Sequence, residues 1–194
     1  MSDGCEIVTY ADVLSDYQHR WLYDRFRKPK MRWQYLDNVS NHVDQDDPRY
    51  HRPSLAMNLY DRDRQHVDLD IYPECDCLIH TIIEALDLDH LNLARVRLGM
   101  YLPFRNVDTH NPIHVDRHTP HTTLIYYLDS NDGDTLFFDE NNKVIHRQSP
   151  EANQAVVFDG LIKHASTNPS SGTRLTLNMN LDSGKEYLDS RNEY

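Results

Sequence analysis

The sequence is poor in cysteine and has no long hydrophobic run. Three cysteines in 194 residues cannot frame a disulfide scaffold, and an odd count is typical of a reducing compartment. No apolar run approaches the ~20 residues that cross a membrane. The N-terminus also lacks the basic start and apolar stretch of a secretory signal. We therefore expect a cytoplasmic protein that does not associate with membranes.

Positive charge is also scarce. Twenty basic residues against 31 acidic ones give a formal net charge of −11. Such a field repels phosphate backbones, which argues against nucleic acid as a partner. Hydrophobic residues make up 39% of the chain and glycine contributes only 6 residues, which excludes collagen-like and disordered classes. At this length we expect a single domain over residues 1–194.

The two halves of the chain differ in pattern. Residues 11–27 carry apolar side chains at helical spacing, and residues 77–88 form a second amphipathic run after Pro73. The polar stretch 38–52 predicts a loop. After Leu91 the sequence changes to short β-rich runs separated by turn residues, one of these runs being 112–116. This layout predicts a support region over 1–90, with helices and strands, and a β-sandwich or barrel core over 91–194.

The last predicted strand alternates strictly between apolar and polar side chains. The apolar positions are Leu175, Leu177, Met179 and Leu181, and the polar ones are Arg174, Thr176, Asn178 and Asn180. Because side chains alternate faces along a strand, one face is apolar and the other polar. Either the polar face lies in solvent, or helices cover the apolar face and the polar face lines a pocket.

Histidine is abundant, at 12 residues, and suggests a metal site. Two histidines and one carboxylate on one face of Fe(II) leave the other positions open for a cosubstrate and O₂. The local half of this pattern, His-x-Asp, occurs at His42-Val-Asp44, His66-Val-Asp68 and His114-Val-Asp116. By itself it is expected by chance in so acidic a chain.

The residues further along the chain separate these three pairs. A dicarboxylate cosubstrate needs a fixed cation, ideally a bidentate arginine, on the strand that returns from the distal histidine. For the third pair, the residue ten after His164 is Arg174, and the turn 168–172 lies between them. The corresponding positions for the first two pairs hold no cation. Only His114, Asp116, His164 and Arg174 complete the constellation.

Residues 114–181 resemble the catalytic core of Fe(II)- and 2-oxoglutarate-dependent oxygenases of the prolyl-hydroxylase type. The motifs that carry the resemblance are His114-Val-Asp116, Ile125-Tyr-Tyr-Leu128, Gly133-Asp-Thr-Leu-Phe-Phe138, His164 and Thr173-Arg-Leu-Thr176. The resemblance implies a mainly β fold with supporting helices, built on a double-stranded β-helix or jelly roll. It also implies a dioxygenase that uses Fe(II), 2-oxoglutarate and O₂ and releases succinate and CO₂.

The same resemblance implies a role for each site residue. His114, Asp116 and His164 would hold iron, and Arg174 would pair with the 5-carboxylate of 2-oxoglutarate. Arginine rather than lysine at this position is similar to the oxygen-sensing branch. The other residues expected to bind the cosubstrate are Tyr127, Thr176, Asn178 and Tyr101.

Several functions remain open at this point. The resemblance favours hydroxylation of a prolyl or other side chain in a protein or peptide, followed by hydroxylation of a free amino acid or small metabolite. An intact Asp116 favours hydroxylation over halogenation, since related halogenases carry a small residue there. The alternatives outside the oxygenases are a cupin-like binding protein or isomerase and a jelly-roll interaction module such as a capsid or lectin domain. The absence of His-x-His from residues 114–121 argues against the cupin-like alternative.

Other histidines and cysteines have weaker patterns. Cys75-x-Cys77-x-x-His80 could suggest zinc, but no second ligand pair follows, so two buried thiols at a helix start are favoured. His118 and His121 follow the first two iron ligands closely. They could contact substrate or support a ligand, and histidines at a strand edge without a catalytic role are favoured.

Overall fold

The computed structural model describes residues 6–28, 31–36, 52, 54–104 and 110–184. Its helices are α1 (Asp16–Phe26) and α2 (Tyr72–Ala85). Its strands are β1 (Val8–Tyr10), β2 (Gln34–Leu36), β3 (Ser54–Asp61), β4 (His66–Val67), β5 (Asn92–Tyr101), β6 (Thr122–Tyr127), β7 (Thr135–Phe138), β8 (Val144–Gln148), β9 (Gln154–Asp159), β10 (Lys163–Ser166) and β11 (Arg174–Asp182). Apart from Arg52, the predicted loop 38–52 lies outside the described residues.

Both helices begin away from the predicted positions. Helix α1 starts at Asp16 because Ser15 caps it: the Ser15 hydroxyl accepts from the backbone of Gln18, whose side chain accepts from the Ser15 backbone. Helix α2 starts five residues before the predicted 77, with Pro73 in its first turn. Proline is tolerated there because the first N–H groups of a helix have no helical partner.

Two antiparallel sheets form the β architecture. The larger sheet has the strand order β1-β9-β6-β11-β5-β3-β2, with β4 paired to β3, and the smaller has the order β10-β7-β8. Strands from the first 67 residues therefore extend the larger sheet. The run 112–116 is not a strand: it joins the smaller sheet through a single bridge between His114 and His164.

The two faces of β11 lie in different surroundings. Its apolar side chains are buried in the main core together with side chains of α1 and α2, among them Leu22, Phe26 and Ile79. Its polar side chains face the smaller sheet, where Arg174 donates to Thr135 of β7. The helices thus cover the apolar face, and the polar face lines the space between the sheets.

A second apolar cluster fills part of the space between the sheets. It consists of Ile125, Tyr127, Phe137, Val156, Phe158 and Ile162. Polar and charged side chains of β5 and β11 line the adjoining part, and this is where the candidate site lies. Neither helix in the described residues is long and apolar enough to cross a membrane.

Candidate functional site

His114, Asp116 and His164 converge between the sheets. Their potential ligand atoms all lie within 4.8 Å of one another, and within the described residues this is the one His, Cys, Asp or Glu group that could hold a metal ion. The Nε2 atoms of His114 and His164 are each 4.0 Å from an Asp116 carboxylate oxygen. Backbone bonds in both directions between His114 and His164 hold the loop carrying Asp116 against β10.

Hydrogen bonds set the tautomer of both histidines. Nδ1 of His114 lies 2.9 Å from the Pro112 carbonyl, and Nδ1 of His164 lies 3.0 Å from the Ile162 carbonyl. Because a carbonyl only accepts, each Nδ1 carries the proton and each Nε2 keeps its lone pair. Burial lowers the pKa of His164 to about 4, so its ring is neutral near pH 7. Two imidazoles that can bind through Nε2 and a carboxylate suit a divalent transition metal such as Fe(II).

Three donors hold the carboxylate of Asp116. Arg95 Nη2 donates to Oδ1 at 2.9 Å, and the amides of Asn178 and Asn180 donate to Oδ2 at 2.9 and 3.1 Å. Burial by itself would raise the pKa of Asp116, but the positive charge of Arg95, the two triad histidines and the Asn178 hydrogen bond together lower it. The carboxylate is therefore ionised and fixed in orientation before any metal binds.

Arg174 lies buried between two tyrosines. Its guanidinium carbon is 4.9 Å from the ring centroid of Tyr101 and 5.8 Å from that of Tyr127. Nη2 of Arg174 donates to Thr135 Oγ1 at 2.6 Å, and the Tyr127 hydroxyl is 2.8 Å from the same oxygen. Burial raises the pKa of Tyr127, so its hydroxyl stays protonated and can donate.

Two donors of Arg174 have no partner among the described residues. Its Nε and Nη1 are fully buried and make no hydrogen bond with the described residues. Such unpaired charged donors are costly unless a ligand satisfies them, and a carboxylate accepts strong hydrogen bonds from a guanidinium. The pocket therefore fits the far carboxylate of a dicarboxylate such as 2-oxoglutarate.

The other residues expected at the cosubstrate site lie on the same wall. Thr176 is buried beside Gly99, and its Oγ1 lies 3.3 Å from where a Gly99 Cβ would be. The Asn178 amide donates to Asp116, and the cosubstrate contact that the resemblance implies for Asn178 stays a prediction.

Three contributors were missed at the sequence level. Arg95 and Asn180 hold Asp116, and Thr135 joins Arg174 to Tyr127. Asn180 could have been found from its period-two spacing after Asn178. Thr135 lies inside the Gly133–Phe138 motif, but only the pairing of the two sheets shows its contact.

The remaining candidate ligands form no metal-binding group within the described part of the chain. His42 and Asp44 lie outside the described residues. His66 Nε2 bonds instead to the Asn58 carbonyl, at 2.9 Å. Of the two cysteines expected to be buried, Cys75 is buried and Cys77 is exposed, so that prediction was wrong for Cys77.

His121 is buried beside Gly160. Its Nδ1 donates to the Thr119 carbonyl at 2.8 Å, while its Nε2 is buried without a hydrogen-bond partner among the described residues. A Cβ placed on Gly160 would lie only 2.1 Å from that Nε2. The backbone N–H of Gly160 also bonds to the His121 carbonyl at 2.8 Å. The ring can pack here because residue 160 has no side chain.

We therefore expect Gly160→Ala to destabilise the fold by about 1–3 kcal/mol, since a buried ring must move away from the new methyl group. Denaturant unfolding measures the free energy. In a His121→Ala background the same substitution should have little effect, because the opposing ring is gone. Equal destabilisation in both backgrounds would contradict this explanation.

The sequence of the core matches a known family. Residues 99–182 match the model of the 2OG-Fe(II) oxygenase superfamily. This segment contains the triad, Arg174 and both tyrosines around it. The cofactors of the superfamily are Fe(II), 2-oxoglutarate and O₂, which agrees with the possible metal triad. Comparison with curated protein sequences gave no match.

Solved structures share the fold at low sequence identity. A 2OG-Fe(II) family oxidoreductase from Burkholderia pseudomallei has a TM-score of 0.69 and 9% identity, covering 91% of this chain and 85% of the other. A Pseudomonas putida prolyl-4-hydroxylase has a TM-score of 0.57 and 18% identity, covering 92% and 93%. A Trichoplax adhaerens prolyl hydroxylase, in complex with a hypoxia inducible factor peptide, has a TM-score of 0.62 and 13% identity, covering 97% and 88%. The predicted double-stranded β-helix fold is thus confirmed.

Proposed function

We propose that this chain, whose residues 99–182 belong to the 2OG-Fe(II) oxygenase superfamily, hydroxylates a C–H bond of a prolyl or other side chain in a protein or peptide. One observation carries the oxygenase assignment: two unpaired donors of buried Arg174 share the inter-sheet space with the triad. Neither the unpaired arginine donors nor the triad is expected in a non-catalytic interaction module. Bound iron and 2-oxoglutarate supply the oxidising chemistry, in which the cosubstrate, O₂ and the substrate C–H bond become succinate, CO₂ and a hydroxylated product.

The protein's own part at the metal is to present three ligands in fixed positions. The proton on each histidine Nδ1 leaves Nε2 free to bind, and Arg95, Asn178 and Asn180 hold the carboxylate. Because the ligands are fixed before binding, little rotamer entropy is lost when the metal enters. Asp116 keeps a carboxylate at this position, which supports hydroxylation rather than halogenation.

At the other end of the pocket, Arg174 orients the cosubstrate. An unpaired guanidinium donor would bind the 5-carboxylate, and the Tyr127 hydroxyl, which contacts Thr135, would be a second donor to it. The flanking rings of Tyr101 and Tyr127 exclude water from the guanidinium. Exclusion of water strengthens the charged hydrogen bonds and gives the dicarboxylate one binding direction.

The prolyl or side-chain substrate is supported by the resemblance of the motif set to the prolyl-hydroxylase type. Two of the similar solved structures are prolyl hydroxylases, although at 13–18% identity they inform the fold alone. A free amino acid or small metabolite is the second candidate. The two can be separated by the succinate released with proline-containing peptides and with free L-proline.

The oxygenase assignment is tested by anaerobic titration of the Fe(II)-loaded protein with 2-oxoglutarate. We expect a weak visible charge-transfer band that saturates as the cosubstrate chelates the metal. Admitting O₂ should then bleach the band and produce succinate. Iron binding without a band would favour the cupin-like alternative, and a failure to bind iron would favour the interaction module.

A further inference from the structure

A second arginine, which has no hydrogen-bond or ion-pair partner among the described residues, faces the space between the sheets. On β5, Val96 and Leu98 are buried in the core beneath the helices, so Arg95, Arg97 and Gly99 point to the opposite face. Arg95 shows which face this is, because it reaches Asp116. Arg97 is partly buried and makes no hydrogen bond or ion pair with the described residues.

The position of Arg97 places it near the metal ligands rather than near Arg174. Its Cα pairs across the sheet with Asn178, whose amide holds Asp116. Arg174 pairs instead with Tyr101, four residues away on β5 and about 13 Å at the usual strand rise. The side chains of Arg97 and Arg174 therefore extend from opposite ends of the polar face that β5 and β11 form.

The ring of Tyr101 lies between Arg97 and Arg174. A Cβ on Gly99 would lie 3.5 Å from Cε2 and 3.9 Å from Cζ of that ring, so the tyrosine folds back along β5 over the glycine. Tyr101 acts electrostatically on Arg97, while its ring contacts the guanidinium of Arg174.

Charge on this polar face is unbalanced. Arg95, Arg97 and Arg174 are opposed by two described carboxylates: Asp116, which pairs with Arg95, and Asp129, on which the charge of Arg174 acts. Of the other nearby carboxylates, Asp61 is paired with Arg64, and Asp63 and Asp182 are paired with Arg117 and Arg62. A divalent metal and a dianionic cosubstrate would cancel one another and leave the surplus unchanged. Burial lowers the pKa of Arg97; Tyr101 and Asp116 oppose this shift, and the charge of Arg95 adds to it.

We propose that Arg97 binds an anionic group, a carboxylate or a phosphate, of the primary substrate and holds that substrate beside the metal. This inference rests on the proposed oxygenase function and narrows its substrate class to molecules or peptide side chains with a negative charge near the oxidised carbon. The surplus of positive charge lies in a protein whose net charge is −11, so the site attracts anions that the rest of the surface repels.

Two small anions serve as probes: inorganic phosphate and carboxyl-¹³C acetate. Mn(II) replaces iron, and 2-oxoglutarate is kept saturating so that Arg174 is occupied. Relaxation of the ³¹P and ¹³C signals measures binding close to the metal, and calorimetry measures binding with or without metal. The variants are Arg97→Met, Arg97→Lys and, as a matched control, Arg20→Met, which removes an exposed arginine of α1.

We expect at least one anion to bind the wild-type protein near the metal. Arg97→Met should weaken that binding at least about tenfold, because a charged hydrogen-bond partner is lost. Arg97→Lys should stay within about threefold because it keeps the charge. Arg20→Met should match wild type. The anion that binds more tightly identifies carboxylate or phosphate as the recognised group.

Three results would overturn the proposal. In the first, the anions bind equally well with and without Arg97. In the second, they bind neither protein. In the third, they bind through Arg97 but show no metal-induced relaxation. A loss of 2-oxoglutarate affinity in Arg97→Met would instead mean that Arg97 serves the cosubstrate. Failure of the proposed function looks different: wild type would then show no 2-oxoglutarate band, while calorimetry could still detect anion binding through Arg97.

Discussion

Replacing His164 by glutamine should weaken Fe(II) or Mn(II) binding by at least about 100-fold and abolish turnover. Loss of groups that merely support a ligand costs about 10–100-fold in metal affinity, and His164 offers a ligand atom itself. Its ring is 3% exposed and packs between Phe158 and His114, so alanine would also leave a cavity. Glutamine keeps most of the volume. Calorimetric titration of the metal under anaerobic conditions measures the effect.

His66→Gln is the matched control for this experiment. His66 belongs to the competing His-Val-Asp pair, is exposed, and its Nε2 bonds to the Asn58 carbonyl. It should leave metal affinity unchanged. If the His66 variant loses metal and the His164 variant keeps it, the metal site has been assigned to the wrong pair. Thermal unfolding of both variants verifies that the fold is intact.

Arg174→Met should raise the dissociation constant for 2-oxoglutarate by about 100-fold while metal affinity stays within a few-fold of wild type. Removing one partner of a buried charged pair costs about 3 kcal/mol, which corresponds to this factor. The 5-carboxylate would keep only hydroxyl donors from Tyr127 and Thr135. Titration of the visible band gives the dissociation constant.

Two further variants test whether the loss of 2-oxoglutarate affinity comes from the charge and donor geometry of Arg174. Arg174→Lys should fall between wild type and methionine, since lysine keeps the charge but not the fork of donors. Arg27→Met removes an exposed arginine that bonds to Thr173, the neighbour of Arg174, at 3.0 Å. It should not change cosubstrate affinity. Unchanged affinity in Arg174→Met would exclude this pocket as the cosubstrate site.

The candidate site could be predicted mainly where it depends on short sequence distances. His114 and Asp116 are two residues apart, and His164 and Arg174 lie on one strand–turn–strand unit. Asn178 was placed on the correct face of β11, because alternation fixes the face. Its contact was not predictable, because it depends on where the loop carrying Asp116 crosses the sheet.

The fold was harder to predict where both sides of a strand are covered. Strand β3 does not alternate cleanly, and a bulge between Asn58 and Tyr60 shifts its phase against β5. No period of two marks it in the sequence. Arg95 was missed for a related reason: its partner Asp116 is 21 residues away, across a turn that only the folded chain brings close.

The ends of the larger sheet have a consequence for the protein at high concentration. Both outermost strands, β1 and β2, contain only three residues, and each covers a longer strand, β9 or β3. Short outer strands offer few unpaired backbone groups to a second chain. The N-terminal segment that carries β1 therefore disfavours intermolecular β-pairing at this edge. A chain without β1 would expose Ala155–Val157, a β-branched stretch well suited to start a cross-molecular sheet.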